Sequence, residues 1–192
     1  MKYQTPLIAT TTFLGVIVLI GIYQYAFNSD GDLFDALQSS SAVETTFHEN
    51  TDRINQIHTT TKETNQSFYL RPWTTGCINT LDTQCVEKSA LDSIGLLAFK
   101  TDPKFKQVEH LKEFGESTWF TFDERKHFDK RREIGIVLVD DPDSFIKTLH
   151  DSPFYENIDQ LDKHITEHPT ATSYAFARIE NGVYVFYQYT PY

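Results

Sequence analysis

Residues 173–189 read SYAFARIENGVYVFYQY, two apolar-rich segments on either side of Asn181-Gly182. Hydrophobic and polar side chains alternate in the first segment, which is the pattern of a strand with one buried face. The Asn-Gly pair favours a hairpin with a type I′ turn, because that turn requires positive φ at both central residues. We therefore predict two antiparallel strands, over residues 173–179 and 183–189.

Two further segments have the composition of strands. Residues 118–122 read TWFTF, which combines aromatic and β-branched side chains. Residues 134–139 read IGIVLV and are almost wholly apolar, as in a strand that is covered on both faces. Together with the terminal hairpin, these segments predict a four-stranded antiparallel sheet.

Helices are predicted before and between these strands. The apolar spacing favours helices over residues 86–99, 103–114, 142–150 and 153–167. The predicted fold class is therefore α+β, with a four-stranded antiparallel sheet and helices packed on one face. A duplicated helix–hairpin unit is an alternative description of the same order of elements. Three of the helices begin with a capping residue followed by proline, at Asp102-Pro103, Asp141-Pro142 and Ser152-Pro153.

The polar segment before the sheet has the pattern of a stalk helix. Ile54, Ile57 and Thr61 recur at three- and four-residue steps, and a break is expected near Ser39-Ser40-Ser41. The stripe is too thin and too rich in threonine for an independent coiled coil. We expect it to pack on the domain, and a dimeric stalk is the alternative.

An uncharged segment at residues 7–27, LIATTTFLGVIVLIGIYQYAF, predicts a membrane anchor. About 20 apolar residues in a helix span the hydrocarbon core of a bilayer. Lys2 precedes the segment and acidic residues follow it. The positive-inside rule therefore places the N-terminus in the cytoplasm and the rest of the chain outside it, in the periplasm if the source is bacterial. A cleaved secretory signal is the alternative, although no A-x-A site follows the segment.

The predicted organisation is thus an anchor at 1–27, a stalk helix at 28–67 and an extracytoplasmic α+β domain at 68–192. The net charge of −10 argues against nucleic acid as a partner, because the phosphate backbone repels an acidic surface. Cys77 and Cys85 are separated by seven residues, and outside the cytoplasm such a pair predicts a disulfide. A redox pair or a zinc half-site is the alternative, but the spacing is not C-x-x-C and zinc would need two more ligands.

A cluster of basic residues lies in the predicted loop of the first hairpin. On an acidic protein such a cluster predicts a docking site for an acidic partner or for anionic headgroups. Acidic residues are interleaved with it, so a solvated loop is the alternative. The candidate binding residues are Arg125, Lys126, Lys130, Arg131 and Arg132.

The segment HITEH at 164–168 matches the H-x-x-E-H pattern of zinc hydrolases. In that interpretation His164 and His168 would hold the metal and Glu167 would act as the base. Pro169 favours the end of the helix at this point, so the two histidines need not share a face. Histidines are also favourable near a helix C-terminus, because a protonated imidazole interacts with the negative end of the helix dipole. We therefore predict no metal and no cofactor.

Three aspartates follow the most apolar predicted strand. Carboxylates at a strand end can bind a cation or act as acid and base. Here Asp141 is placed to cap a helix that Pro142 opens, and Asp143 suits the positive end of its dipole. We therefore interpret Asp140, Asp141 and Asp143 as a helix start rather than as a site.

The sequence contains no P-loop, no G-x-G-x-x-G and no G-x-S-x-G pattern. The anchor, the stalk, the aromatic terminal strand and the charged loop favour a protein-binding domain over an enzyme. The predicted function is an accessory subunit or assembly factor of an envelope complex. Its expected partners are membrane or envelope proteins, and the membrane itself through residues 7–27. A membrane-tethered hydrolase that uses His164 and His168 is one alternative, and a sensor for a small ligand or the cell wall is another.

Overall fold

The computed structural model describes residues 37–63, 68–70, 78–79, 85–86, 104–127, 130–170 and 174–191. Within these ranges a single mixed sheet is flanked by α-helices. The helices are α1 (Ser40–Glu49), α2 (Thr51–Glu63), α3 (Pro142–Thr148) and α4 (Ile158–Glu167), with a 3-10 turn at Lys112–Phe114. The strands are β1 (Phe68–Leu70), β2 (Ile78–Asn79), β3 (Cys85–Val86), β4 (Gln107–Leu111), β5 (Ser117–His127), β6 (Lys130–Val139), β7 (Phe154–Tyr155), β8 (Tyr174–Glu180) and β9 (Val183–Pro191).

The strand order is β3-β2-β1-β4-β5-β6-β9-β8-β7. Neighbouring strands are antiparallel except β7 and β8, which are parallel. Among the described strands, six have three or more residues, and β2, β3 and β7 have two each. The predicted four-stranded antiparallel sheet is therefore wrong, because the sheet is larger and mixed.

One cause of this error is the prediction of a helix over residues 103–114. Residues 107–111 instead form β4 and pair along their whole length with β5. The two apolar residues of β4 are buried in different cores, Val108 on one face of the sheet and Leu111 on the other. Apolar residues three apart satisfy a helix pattern, but in a strand they point to opposite faces, and both faces are covered here.

Helices cover both faces of the sheet, so the prediction that they pack on one face is also wrong. The face covered by α1, α2 and α4 is called the three-helix face, and the opposite one the α3 face. Residues 134–139 of β6 are buried on both sides, as their almost wholly apolar sequence requires. The three-helix core includes Val43, Phe47, Ile54, Ile57, Phe120, Ile136 and Leu161. The α3 core includes Leu111, Trp119, Val137, Phe145, Phe176, Tyr184 and Phe186.

The terminal hairpin is confirmed, and β9 lies between β6 and β8. A type I′ turn was predicted, but within the turn only Gly182 has positive φ (78°). The prediction of a type I′ turn is therefore wrong. The aromatic residues of β9 belong to the core and are not exposed for contact with a partner. Tyr184, Phe186, Tyr187 and Tyr189 are all buried.

The helix starts are partly as predicted. Asp141 caps α3 by accepting from the Ser144 amide at 3.0 Å, and a proline opens the helix. Helix α4 begins at Ile158 rather than at Pro153, because Asn157 is its cap and residues 154–155 pair with β8. Because of this cap and this strand pairing, the helix begins five residues later than predicted.

The two helices of the predicted stalk pack on the domain, with Ile54 and Ile57 buried in the three-helix core. The break between them falls at Asn50, while Ser39 caps the start of α1. In the portion of the chain that the structure describes, no helix has the length and apolar character needed to cross a membrane. The anchor at 7–27, residues 87–99 of the predicted helix at 86–99 and Cys77 lie outside the described residues, while Val86 belongs to β3 rather than to a helix. The anchor and the Cys77–Cys85 disulfide therefore stay predictions.

Candidate functional site

The five basic residues predicted to bind a partner lie on strands rather than in a loop. Strand β5 ends at His127 and β6 begins at Lys130. Alternation along the strands then divides the cluster, because Arg125 pairs with Arg132 and Lys126 with Arg131. The first pair points to the three-helix face and the second to the α3 face. The five residues do not form one surface, and their role in binding stays a prediction.

Arg132 is a core residue of the three-helix face. It is 6% exposed, and its Nε donates to the hydroxyl of Tyr187 at 3.1 Å. The guanidinium also lies 5.7 Å from the centroid of the Tyr187 ring, within the range of a cation–π contact. Arg132 therefore stabilises the pairing of β6 with β9.

Arg131 lies at the centre of a charged cluster on the α3 face. Its Nε is 2.5 Å from Glu124 Oε1, and a second nitrogen donates to Gln107 Oε1 at 3.0 Å. The same guanidinium forms an ion pair with Glu133 on its own strand. We call these four residues, on three neighbouring strands, the Arg131 cluster.

Glu133 is the buried acid of the Arg131 cluster. Glu133 is 3% exposed. Burial raises the pKa of its carboxyl group to about 7, although the positive charge of Arg131 acts to lower the pKa. A carboxyl group that titrates near neutrality can exchange protons or respond to a nearby cation. The sequence signal for this cluster is the alternation that places residues 124, 131 and 133 on one face. In a predicted loop that alternation has no meaning, so the interleaved acids indicated only a solvated loop.

The N-terminal end of the described chain joins the sheet beside the exposed bases. The backbone N–H of Gln38 donates to Asp123 Oδ2 at 3.0 Å. Arg125 lies 3.6 Å from the same carboxylate, and the side chains of Arg125 and Lys126 are 40% and 42% exposed. The exposed bases therefore lie at the end of the sheet that Gln38 contacts.

A second polar network joins α2 to the sheet. His58 Nδ1 lies 2.7 Å from Thr118 Oγ1, and His58 Nε2 lies 3.2 Å from Asp140 Oδ1. Carboxylate, imidazole and hydroxyl occur in the order of a catalytic triad. However, Thr118 is fully buried, and its hydroxyl also contacts Thr61 at 3.1 Å and His110 at 3.2 Å. Because a substrate cannot reach this hydroxyl, we interpret the network as structural.

Asp140 belongs to this network rather than to the start of α3. Burial acts to raise its pKa, but hydrogen bonds from Lys62 and His58 outweigh burial and the pKa is lowered. Lys62 Nζ is 2.5 Å from Asp140 Oδ2. Of the three aspartates, Asp141 caps the helix as predicted, Asp143 lies in its first turn, and Asp140 instead anchors α2.

The H-x-x-E-H segment lines an open groove of about 310 Å³ between α4 and β7. His168 is the C-cap of α4 and has left the helical conformation, as the proline after it predicts. The two imidazole rings nevertheless lie close together, with their centroids 5.4 Å apart. The groove is lined by Tyr155, Gln160, Lys163, His164, Glu167 and His168.

Tyr155 fixes one of these rings. Its hydroxyl lies 2.9 Å from His164 Nδ1. Burial, and then the neighbouring His168, lower the pKa of His164, which therefore favours the neutral imidazole. Nowhere in the described residues do three or more His, Cys, Asp or Glu side chains form a group that could hold a metal ion.

Comparisons of the chain with protein-family models, with curated proteins and with solved structures found no match. The function must therefore be argued from the residues and their geometry alone.

Proposed function

We propose that this chain is a membrane-tethered protein-binding domain, an accessory subunit or assembly factor of an envelope complex, that docks an acidic partner at the β5–β6 end of its sheet. The observation that carries the proposal is the contact between the Gln38 amide and Asp123. Nine residues, 28–36, separate the predicted anchor from Leu37. Gln38 is eleven residues beyond Phe27, the last residue of the predicted anchor. Eleven residues span at most about 40 Å, so the Asp123 carboxylate that Gln38 contacts, with Arg125 beside it, lies near the predicted membrane surface.

The charge distribution supports a partner of acidic character. The whole chain has a net charge of −10, whereas this end of the sheet presents Arg125 and Lys126 to solvent. Both bases lie near acids of their own strand, Arg125 at 3.6 Å from Asp123 and Lys126 at 3.0 Å from Glu124. In these pairs the acids are 12% and 11% exposed, whereas the bases are 40% and 42% exposed, so each base keeps accessible surface for a partner carboxylate.

A binding role also fits the polar networks better than catalysis does. The hydroxyl of the His58 network is buried, and the histidine pair of the groove lacks a third protein ligand among the described residues. A catalytic zinc site usually has three protein ligands. We therefore do not propose the metal-dependent hydrolase that the H-x-x-E-H pattern suggested.

Site-specific photo-crosslinking of the full chain in its native membrane tests the proposal. A crosslinker in place of Lys126 should capture one defined protein, and a crosslinker in place of Lys147 on α3 should not. With the crosslinker at position 126, the variant Arg125→Glu should lose this product. The matched variant Lys147→Glu changes the same charge elsewhere and should retain it.

Two outcomes contradict the proposal. Crosslinks from position 126 to lipid alone, or to no molecule, would mean that this end of the sheet does not dock a protein. Extraction of the full chain from membranes by alkaline carbonate would contradict the predicted anchor independently of the partner.

A further inference from the structure

The two imidazole rings of the groove are as far apart as two ligands of one metal ion. Two imidazoles on one tetrahedral zinc ion, each at about 2.0 Å from the metal, have ring centroids about 5 Å apart. The centroids of His164 and His168 are 5.4 Å apart, and both residues line the same open groove. The sequence predicts that Pro169 ends the helix, so that the two histidines need not share a face. The helix does end at His168, yet the two rings still lie close together.

Tyr155 supplies the support that a metal-binding histidine usually has. Ligand histidines generally hydrogen-bond through their other ring nitrogen, which fixes the tautomer and the ring orientation. The Tyr155 hydroxyl is 2.9 Å from Nδ1 of His164, so a metal at this ring would bind Nε2. Tyr155 lies on β7 and His164 on α4, so the contact also orients the imidazole relative to the sheet.

The position in the fold favours a cation. Both histidines are at the C-terminal end of α4. The backbone carbonyl groups of the last helical turn carry a partial negative charge there. Glu167 also lines the groove and adds a carboxylate. The ammonium of Lys163 is the opposing charge, and it lies 3.9 Å from Glu167.

We propose that His164 and His168 form a two-imidazole site for a divalent transition-metal ion, with Zn²⁺ and Cu²⁺ as the ions that best suit these ligands. Imidazole nitrogen is a preferred ligand of both ions, and Cu²⁺ binds nitrogen sites more tightly than Zn²⁺ does. With two protein ligands the remaining positions are filled by water. The site therefore binds its ion exchangeably. The proposal does not depend on the docking role of the β5–β6 end.

Titration of the full chain in detergent with CuCl₂ and with ZnCl₂ tests the site. The protein is prepared without a polyhistidine tag and stripped of metal with a chelator. Calorimetry should give one saturable site per chain, and the electron paramagnetic resonance spectrum of the Cu²⁺ form should show coupling to two nitrogens. His164→Gln and His168→Gln should each weaken binding at least about tenfold and leave one coupled nitrogen.

Two further variants separate this site from general binding to surface histidines. Tyr155→Phe keeps both ligands and should weaken binding by about 10–100-fold, the usual effect of losing a partner of a ligand histidine. His150→Gln removes a histidine whose side chain is 74% exposed and should change nothing. Circular dichroism checks that each variant is folded. Equal affinity in the wild type and both ligand variants, or no saturable site, would overturn the proposal.

Discussion

His58 Nε2 lies 3.2 Å from Asp140 Oδ1, and this contact joins α2 to the end of β6. The other nitrogen of the ring bonds to Thr118 on β5 at 2.7 Å. One imidazole therefore connects a helix of the predicted stalk to two strands of the sheet. The contact makes α2 part of the folded domain, in addition to the burial of Ile54 and Ile57.

Replacement of His58 by alanine should lower the free energy of unfolding by about 1–3 kcal/mol, the cost of leaving buried polar groups without a partner. The measurement is denaturant unfolding of the full chain in detergent. His48→Ala removes a histidine from α1 whose side chain is 57% exposed, and it should change the free energy by less than about 0.5 kcal/mol. Equal effects of the two substitutions would contradict a structural role for the His58 network.

His110 should make the protein less stable in acid. Burial, and then the nearby His58, lower its pKa from 6.5 to about 4. The unfolded chain therefore binds a proton at higher pH than the folded chain does. The free energy of unfolding should therefore be unaffected by His110 above pH 6.5. As the pH falls from 6.5 towards 4, protonation of the unfolded chain should lower this free energy by about 3 kcal/mol in all.

Unfolding free energies measured between pH 7 and pH 4 check this prediction. The charged or titratable groups that influence His110 are His58 and Asp140 of the network, with Glu116 and Lys112 beside it. His110→Gln should reduce the loss of stability over this range, whereas His150→Gln, at an exposed position, should not. Because Glu133 acts in the opposite direction over the same range, the decisive quantity is the difference between the wild type and His110→Gln, and a difference that does not change between pH 7 and pH 4 would contradict the prediction.

Glu133 should have the opposite dependence on pH. Burial raises its pKa from 4.5 to about 7, so the folded chain holds a proton that the unfolded chain has already released. Stability is therefore lost as the pH rises from 4.5 to 7, by about 3 kcal/mol at most. Glu133→Gln should decrease this loss. Carbon-13 NMR of the carboxyl group measures the pKa directly, and a value below 5 would contradict the prediction.

The strands of the core could be predicted from sequence because burial on both faces leaves a clear pattern. Residues 134–139 are almost wholly apolar, and they form the end of β6. The Asn181-Gly182 pair likewise marked the terminal hairpin, although with the wrong turn type. Patterns of this kind depend on burial and turn chemistry within a few residues.

The remaining strands could not be predicted because their pairing depends on distant segments. Residues 107–111 are paired with β5 on one side and β1 on the other, and nothing local distinguishes Val108 and Leu111 from a helical stripe. The Arg131 cluster has the same origin, since Gln107, Glu124 and Arg131 come from three strands. The order of strands decides which charges meet, and no local pattern of the sequence indicates that order.

Gly135 is a position at which the sheet tolerates no side chain. A β-carbon on Gly135 would lie 1.9 Å from the carbonyl oxygen of Phe120, next to the irregular pairing between Thr121 and Asp123. Gly135→Ala should therefore separate β5 from β6 and lower the unfolding free energy by about 3 kcal/mol or more. Gly115→Ala is the matched control, because a β-carbon there meets no atom closer than 3.7 Å and only the φ of 71° is unfavourable, which costs about 1–2 kcal/mol. Denaturant unfolding of both variants measures the difference, and a smaller loss for Gly135→Ala than for Gly115→Ala would contradict the close approach of the two strands.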